Sequence, residues 1–185
     1  MFNFSSVKKE VKTESCCSYT TSTCSTGTEG NTKGDNCCTP QPKGKVICLS
    51  CGEKAKGVLG KTLDALLTEQ AKENLSCLDG FYYCKTPSCE TVYFRDKALF
   101  TQKDLSVVVG LKEGASPATV CYCFEWTKEK IKEELLNTKE TVALTDIKTK
   151  MENPGCACEV LNPSGGCCLG DVTKEIKAIK KELGL

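Results

Sequence analysis

Sixteen cysteines and not one histidine stand in 185 residues, and that pairing limits the chain more than any other feature. Thiols at this density serve as disulfides in an oxidising compartment or as metal ligands in a reducing one. The opening stretch, MFNFSSVKKEVKTESCC, lacks the apolar core of an export signal. A cytoplasmic chain with reduced thiols is therefore expected, and metal binding is favoured over a disulfide framework. The missing histidine removes imidazole zinc catalysis, Rieske-type ligation and His-based triads. Thiolates without imidazole select zinc, Cu(I) or iron–sulfur clusters. No glycine-rich phosphate loop is present either, so an enzyme is not expected. Lys plus Arg (25) balances Asp plus Glu (24) at a net charge of +1, which gives no support to a nucleic-acid or membrane-surface partner. No apolar run approaches the roughly eighteen residues of a membrane span.

Composition divides the chain into three regions. Residues 1–45 are rich in Ser, Thr, Gly and Lys and poor in large apolar residues. They are expected to form a disordered arm, because they cannot bury enough surface to offset their ordering entropy. The arm carries Cys16, Cys17, Cys24, Cys37 and Cys38. The second region, 46–112, opens with VICLSCGEKAKG. Leu59, Leu63, Leu66 and Leu67 recur at helical spacing, with Gln70, Lys72 and Glu73 beside them, which predicts a short amphipathic helix. FYYC and CETVYF read as strands around a KTPS turn, and SVVVGL (106–111) reads as a further strand. KEGASPA (112–118) has linker composition. The third region, 119–185, predicts three helices. Thr127 is the candidate cap of the first, over 128–137, with Ile131, Leu135 and Leu136 facing inward. The second covers about 141–151. Asp171 is the candidate cap of the last, whose stripe of Val172, Ile176, Ile179 and Leu183 is read as packing against the other two.

Two cysteine constellations follow from spacing. Cys48-x-x-Cys51 and Cys84-x4-Cys89 are two close pairs, each able to grip one ion from a turn, and four thiolates closing a tetrahedral shell make a structural zinc site. Such a site would hold together a small subdomain with a modest core. Ordinary buried thiols, a rubredoxin-like iron and a redox disulfide are the alternatives. The other constellation is Cys121-Tyr122-Cys123 with GCACEVLNPSGGCC (155–168). A C-x-C pair is tight for a zinc knuckle and suits one iron of a binuclear cluster, the second iron taking two thiolates from the later loop. The Pro and glycines of NPSGG are expected to turn backbone N–H groups toward cluster sulfurs, raising the reduction potential.

The run CYCFEWTKEKIKEEL…NPGCACEVLNPSGGCCLGDVTKEIK resembles the bacterioferritin-associated-ferredoxin-type (BFD-like) [2Fe-2S] domain, in the version found in the N-terminal part of CopZ-type copper chaperones of archaea. CLSC with FYYCKTPSCETVYF resembles the treble-clef-like zinc module of the same family, and the likeness covers about 46–185. It implies an α+β chain: a small treble-clef-like zinc module (46–112) followed by a small helical [2Fe-2S]-binding domain (119–185). It implies Cys48, Cys51, Cys84 and Cys89 as zinc ligands, and Cys121, Cys123 and Cys158 as cluster ligands. The fourth falls in Cys167-Cys168, with Cys168 preferred. Cys156 is an addition relative to that pattern. The Met-x-Cys-x-x-Cys loop of a heavy-metal-associated copper domain is not among these residues, whose only methionines are Met1 and Met151.

The expected function is metal handling, of copper or another soft ion, coupled to one-electron redox. The cluster would supply an electron for Cu(II), and the arm thiols or a separate partner would carry Cu(I); Hg(II) and Zn(II) are other soft candidates for the arm. Partners implied by the resemblance are a copper-transporting ATPase or a separate chaperone domain. Two further readings stand beside it: a ferredoxin-like electron-transfer module docking on an oxidoreductase, and an interaction scaffold in which both metals are structural. Cys77 is most simply a small buried apolar residue.

Overall fold

The computed structural model describes residues 46–73 and 75–185, which fall within one compact unit. The N-terminal arm and its five cysteines lie outside the described residues.

The first part is an antiparallel four-stranded sheet in chain order, β1 (Ala55–Gly57), β2 (Tyr82–Cys84), β3 (Thr91–Arg95) and β4 (Ala98–Thr101). Alternation along the strands assigns the two faces. Tyr83 pairs with Tyr93 across β2 and β3, and their rings, 5.9 Å apart, join Phe81, Val92 and Phe100 in the main core. The next residues, Cys84 and Phe94, turn the other way into a small cluster with Cys48 and Cys89. A bulge between Thr91 and Tyr93 lets the consecutive Val92 and Tyr93 enter the same core. β3 and β4 close on Asp96, whose φ of 49° is a left-handed conformation that Asp tolerates.

Between β1 and β2 lie two short helices, α1 (Gly60–Leu66) and α2 (Glu69–Lys72). The expected single helix is broken at Leu67 and Thr68, which are extended, and the Thr68 side chain accepts from Ala71 N to start α2. Leu63, Leu66 and Leu67 are buried, but Leu59 precedes the helix and is 41% exposed. Each fully buried leucine or aromatic stabilises the fold by about 1.5–3 kcal/mol.

SVVVGL is not a strand. Gln102 takes the place of a neighbouring strand: its Nε2 donates to Val107 O and its Oε1 accepts from Val109 N, both at 2.7 Å. A side chain thus satisfies the backbone that the sequence assigned to a sheet. The expected linker is also anchored, because Lys112 Nζ donates to the carbonyls of Cys84, Thr86 and Thr91.

The second part opens with a hairpin that the sequence reading missed, β5 (Thr119–Cys121) and β6 (Trp126–Thr127). Helices α3 (Lys128–Thr138), α4 (Ala143–Glu152), α5 (Cys158–Leu161) and α6 (Leu169–Glu182) follow. Thr127 caps α3, its hydroxyl accepting from Lys130 N at 3.2 Å. Val120, Ile131, Leu135, Ile147, Val172 and Ile176 share one core, so α6 packs its apolar stripe against the other helices. Leu136 is 52% exposed, because Leu135 already fills the inward position. The start of α6 is Cys168, not Asp171. Asp171 sits inside the first turn, where its charge still complements the helix dipole.

The two parts meet through α5 and the segment that follows it. Tyr93 Oη donates to Pro163 O at 2.7 Å, Lys56 Nζ to Ser164 O at 3.0 Å, and Thr62 Oγ1 to Glu159 O at 2.5 Å. On the other side, Tyr122 Oη accepts from Gly110 N and donates to Val108 O.

Candidate metal centres

The first cysteine pair is built on a tight knuckle. Ile47 bridges Lys54, Cys48 N donates to Glu53 O at 2.7 Å, and Gly52 N returns to Cys48 O at 2.9 Å. Gly52 takes φ of 74°, a turn conformation that costs glycine little. Cys84 ends β2, and Cys89 lies in the turn before β3, where its N–H donates to Thr86 O. Both grips are therefore β-turns, and among the described residues no helix contributes to this set. The Ser50 and Thr91 hydroxyls, 2.7 Å apart, tie one grip to the other.

The four sulfurs converge. Cys48 and Cys89 Sγ are 3.9 Å apart, Cys51 and Cys84 Sγ 3.7 Å, and all four lie within 4.8 Å of one another. Sulfurs at about 2.3 Å from a tetrahedral ion are separated by about 3.8 Å, so the set fits zinc. Three of these cysteines are buried and Cys51 is exposed. The Thr86 hydroxyl, 3.3 Å from Cys51 Sγ, and the Glu53 backbone N–H bring the Cys51 thiol down to about 6. Burial pushes Cys84 up to about 12. The Lys112 ammonium, held on the Cys84 carbonyl, partly offsets the negative charge that four thiolates would leave around a divalent ion.

The second set is arranged differently. Cys121 ends β5, Cys123 lies in the β5–β6 turn, Cys158 opens α5 and Cys168 caps α6. Cys123 and Cys158 Sγ are 3.7 Å apart, and Cys121 interacts with Cys168. Among the described residues, however, only the first set has its sulfurs all within 4.8 Å of one another. These four cysteines thus form two pairs rather than one tetrahedron. Each pair joins one residue of C-x-C to one from the later segment, whereas the sequence reading put Cys121 and Cys123 on the same iron.

The Cys168 thiol and the backbone N–H groups of Phe124 and Cys123 bring Cys121 down to about 7 against the cost of burial. Burial and the neighbouring Cys123 push Cys158 up to about 12. The interaction with Cys121 and burial push Cys168 upward as well. Cys168 is buried beside Cys121, while Cys167 and Cys156 are exposed.

The NPSGG segment differs from the expectation. Ser164 N donates to Asn162 Oδ1 and Gly165 N to Asn162 O, while Asn162 Nδ2 donates to Gly166 O. Asn162 takes two of the N–H groups that the sequence reading aimed at sulfur, those of Ser164 and Gly165, in an Asx turn that holds the segment in shape. The Cys121 sulfur takes backbone N–H groups from the β5–β6 turn, those of Cys123 and Phe124. Thr86, Lys112, Tyr93 and Asn162 were not legible as site residues, since each acts on a partner distant in sequence or through a backbone group.

Residues 45–106 match the CopZ-type family described as a zinc binding domain. The chain is 36% identical over 125 residues to the copper chaperone CopZ of Archaeoglobus fulgidus, an alignment covering 65% of this chain and 57% of that protein. It therefore spans little more than half the length of that relative. The X-ray structure of the Archaeoglobus fulgidus CopZ N-terminal domain superposes with a TM-score of 0.58 at 30% identity, covering 70% of this chain and 96% of that one. With its converging four-cysteine set inside the matched zinc-binding region, the chain belongs to the CopZ family and corresponds to that family's N-terminal region.

Proposed function

We propose that this chain holds a structural zinc at Cys48, Cys51, Cys84 and Cys89 and a [2Fe-2S] cluster at Cys121, Cys123, Cys158 and Cys168, and that it handles copper in the cytoplasm. The observation that carries the reading is the contrast between the sets. Four sulfurs around one point suit a single ion, and two separate thiol pairs suit two irons, with Cys121 and Cys168 holding one and Cys123 and Cys158 the other. When bound, a two-iron cluster supplies a reversible one-electron couple.

The residues around the pairs shape that chemistry. The N–H groups of Phe124 and Cys123 stabilise negative charge on the Cys121 sulfur, which favours the reduced state. Val120, Val172 and Ile176 wall the inner side and exclude water. Tyr93 and Asn162 fix the segment between Cys158 and Cys168. Copper enters the reading as cargo: Cu(II) gains one electron and is carried as Cu(I), which thiolates hold well. A copper-transporting ATPase or a separate chaperone domain would receive it. No catalytic group is assigned, and among the described residues no helix is long and apolar enough to cross a membrane.

Metal analysis of anaerobically purified protein, with EPR after reduction, tests the proposal. About two irons and two sulfides per chain are expected together with about one zinc. Iron-free protein carrying two zincs would remove the redox reading. Reversible reduction without any copper binding would leave a ferredoxin-like electron-transfer module.

A further inference from the structure

Among the described residues three cysteines, Cys77, Cys156 and Cys167, remain outside both centres, and the last two face the same space. Cys156 and Cys167 are exposed, and together with Cys158 they line a cavity of about 460 Å³ between the start of α5 and the Gly165-Gly166 turn. The Cys156 thiol neighbours Cys158, and Cys167 adjoins Cys168. The cavity therefore lies on the solvent side of the proposed cluster.

The frame around these thiols is fixed. Asn162 braces the turn that carries Cys167, and Cys156 leads directly into α5, whose carbonyl at Glu159 is held by Thr62. Gly165 and Gly166 leave the rim without side chains. A Cβ on Gly165, at φ of 61°, would come within 2.9 Å of Thr62 Oγ1, and one on Gly166 within 2.5 Å of Lys56 Nζ. The charges also suit an anionic complex. The Lys56 ammonium stands behind Gly166, and the Glu159 carboxylate on the cavity wall is ion-paired with Lys61.

We propose that Cys156 and Cys167 form a surface site for a soft monovalent cation, Cu(I), beside the cluster-binding pairs. Two thiols are too few for a closed zinc site, which takes four ligands, but they suit a soft d10 ion that accepts low coordination. Each thiol releases its proton to solvent as a Cu–S bond forms, and no electron changes hands in that step. Two thiolates around Cu(I) leave one net negative charge, which Lys56 offsets. The inference rests on the copper-handling reading and names the place where the ion would reside: within contact of Cys158, and so next to the one-electron couple.

The test compares the full-length chain with the Cys156→Ser/Cys167→Ser variant, both purified anaerobically with their metals. Cu(I) is added against a chromogenic Cu(I) chelator while visible absorption is followed. The wild type is expected to take up about one equivalent more than the variant. Only the wild type should show a shift of its iron–sulfur absorption as that equivalent binds. Copper held by the N-terminal thiols would be taken up equally by both proteins, so the difference in stoichiometry separates the two locations. Equal stoichiometry and equal spectra in both proteins would overturn the inference, as would loss of iron from the variant, which would make Cys156 or Cys167 a cluster ligand. The single Cys156→Ser variant should lose the same equivalent. A wild type without iron would defeat the cluster reading, while the copper stoichiometry would still report on this site.

Discussion

Tyr93 Oη donates to Pro163 O across 2.7 Å of buried space, joining the sheet that carries the zinc-site candidates to the segment between two cluster-ligand candidates. Tyr93 leaves β3 on the core face while Phe94, its neighbour, packs with Cys48, Cys84 and Cys89. Burial raises the Tyr93 hydroxyl, so it stays protonated and donating throughout the working pH range. Replacing Tyr93 by Phe leaves Pro163 O buried without this donor. A loss of about 1–2 kcal/mol is expected in chemical denaturation. Iron should pass to a chelator several-fold faster than from the wild type, with zinc content unchanged. Simultaneous loss of zinc would show that Tyr93 serves only the sheet.

Gly110 and Gly170 make a paired test of backbone approach. A Cβ on Gly110 would lie 2.1 Å from Thr119 O and 2.3 Å from Thr119 N, whereas one on Gly170 meets nothing within 4 Å. Gly110→Ala must push the two parts of the chain apart and is expected to cost about 1–3 kcal/mol. Gly170→Ala lies inside α6 and should stabilise by about 0.5–1 kcal/mol. Melting temperatures of the two variants should therefore move in opposite directions.

The thiols of the first set divide by pH in the metal-free chain. Cys51 lies near 6, below its ordinary 9.0, so the folded chain favours its thiolate. Its contribution to stability is fully present above pH 9 and is lost as the pH falls through 6. Cys84, near 12, has the opposite sign: its contribution is present below pH 9 and is lost as the pH rises toward 12. Iodoacetamide labelling read by peptide mass spectrometry should modify Cys51 well before Cys84 at pH 7. Moving to pH 5 should slow Cys51 labelling by roughly tenfold. Added zinc should protect both.

Cys167 and Cys168 are adjacent in sequence and different in place. Cys168 is 2% exposed beside Cys121, and Cys167 is exposed on the cavity rim. Cys168→Ser is expected to lose most of the iron, and Cys167→Ser to keep it, by iron and sulfide analysis. The reverse result would assign the fourth ligand to Cys167.

Spacing alone reaches the first metal set, because Cys48-x-x-Cys51 and Cys84-x4-Cys89 are local grips that need only be brought together. Likewise the Thr127 cap and the Val172, Ile176, Ile179 stripe are short-range signals, and they are found where the periodicity puts them. SVVVGL failed for the complementary reason. Its apolar run fits a strand, but a side chain, that of Gln102, rather than a neighbouring strand took its backbone partners. The thiol pairs of the second set were equally hidden, since C-x-C proximity in sequence does not say which sulfur each cysteine will face.

The sequence by itself determined the ligand types on offer: a thiol-rich, histidine-free chain with two cysteine constellations. Only the tertiary structure decided how those thiols are shared out. It brought four to one point, placed Cys123 against Cys158 and Cys121 against Cys168, and left Cys156 and Cys167 on an open cavity. The physical reason is that ligand type is a property of the residue, whereas sulfur-to-sulfur distance is set by packing. Here that packing comes from the turns after β2 and β5, the start of α6, and the Tyr93 bond that fixes the segment between α5 and α6.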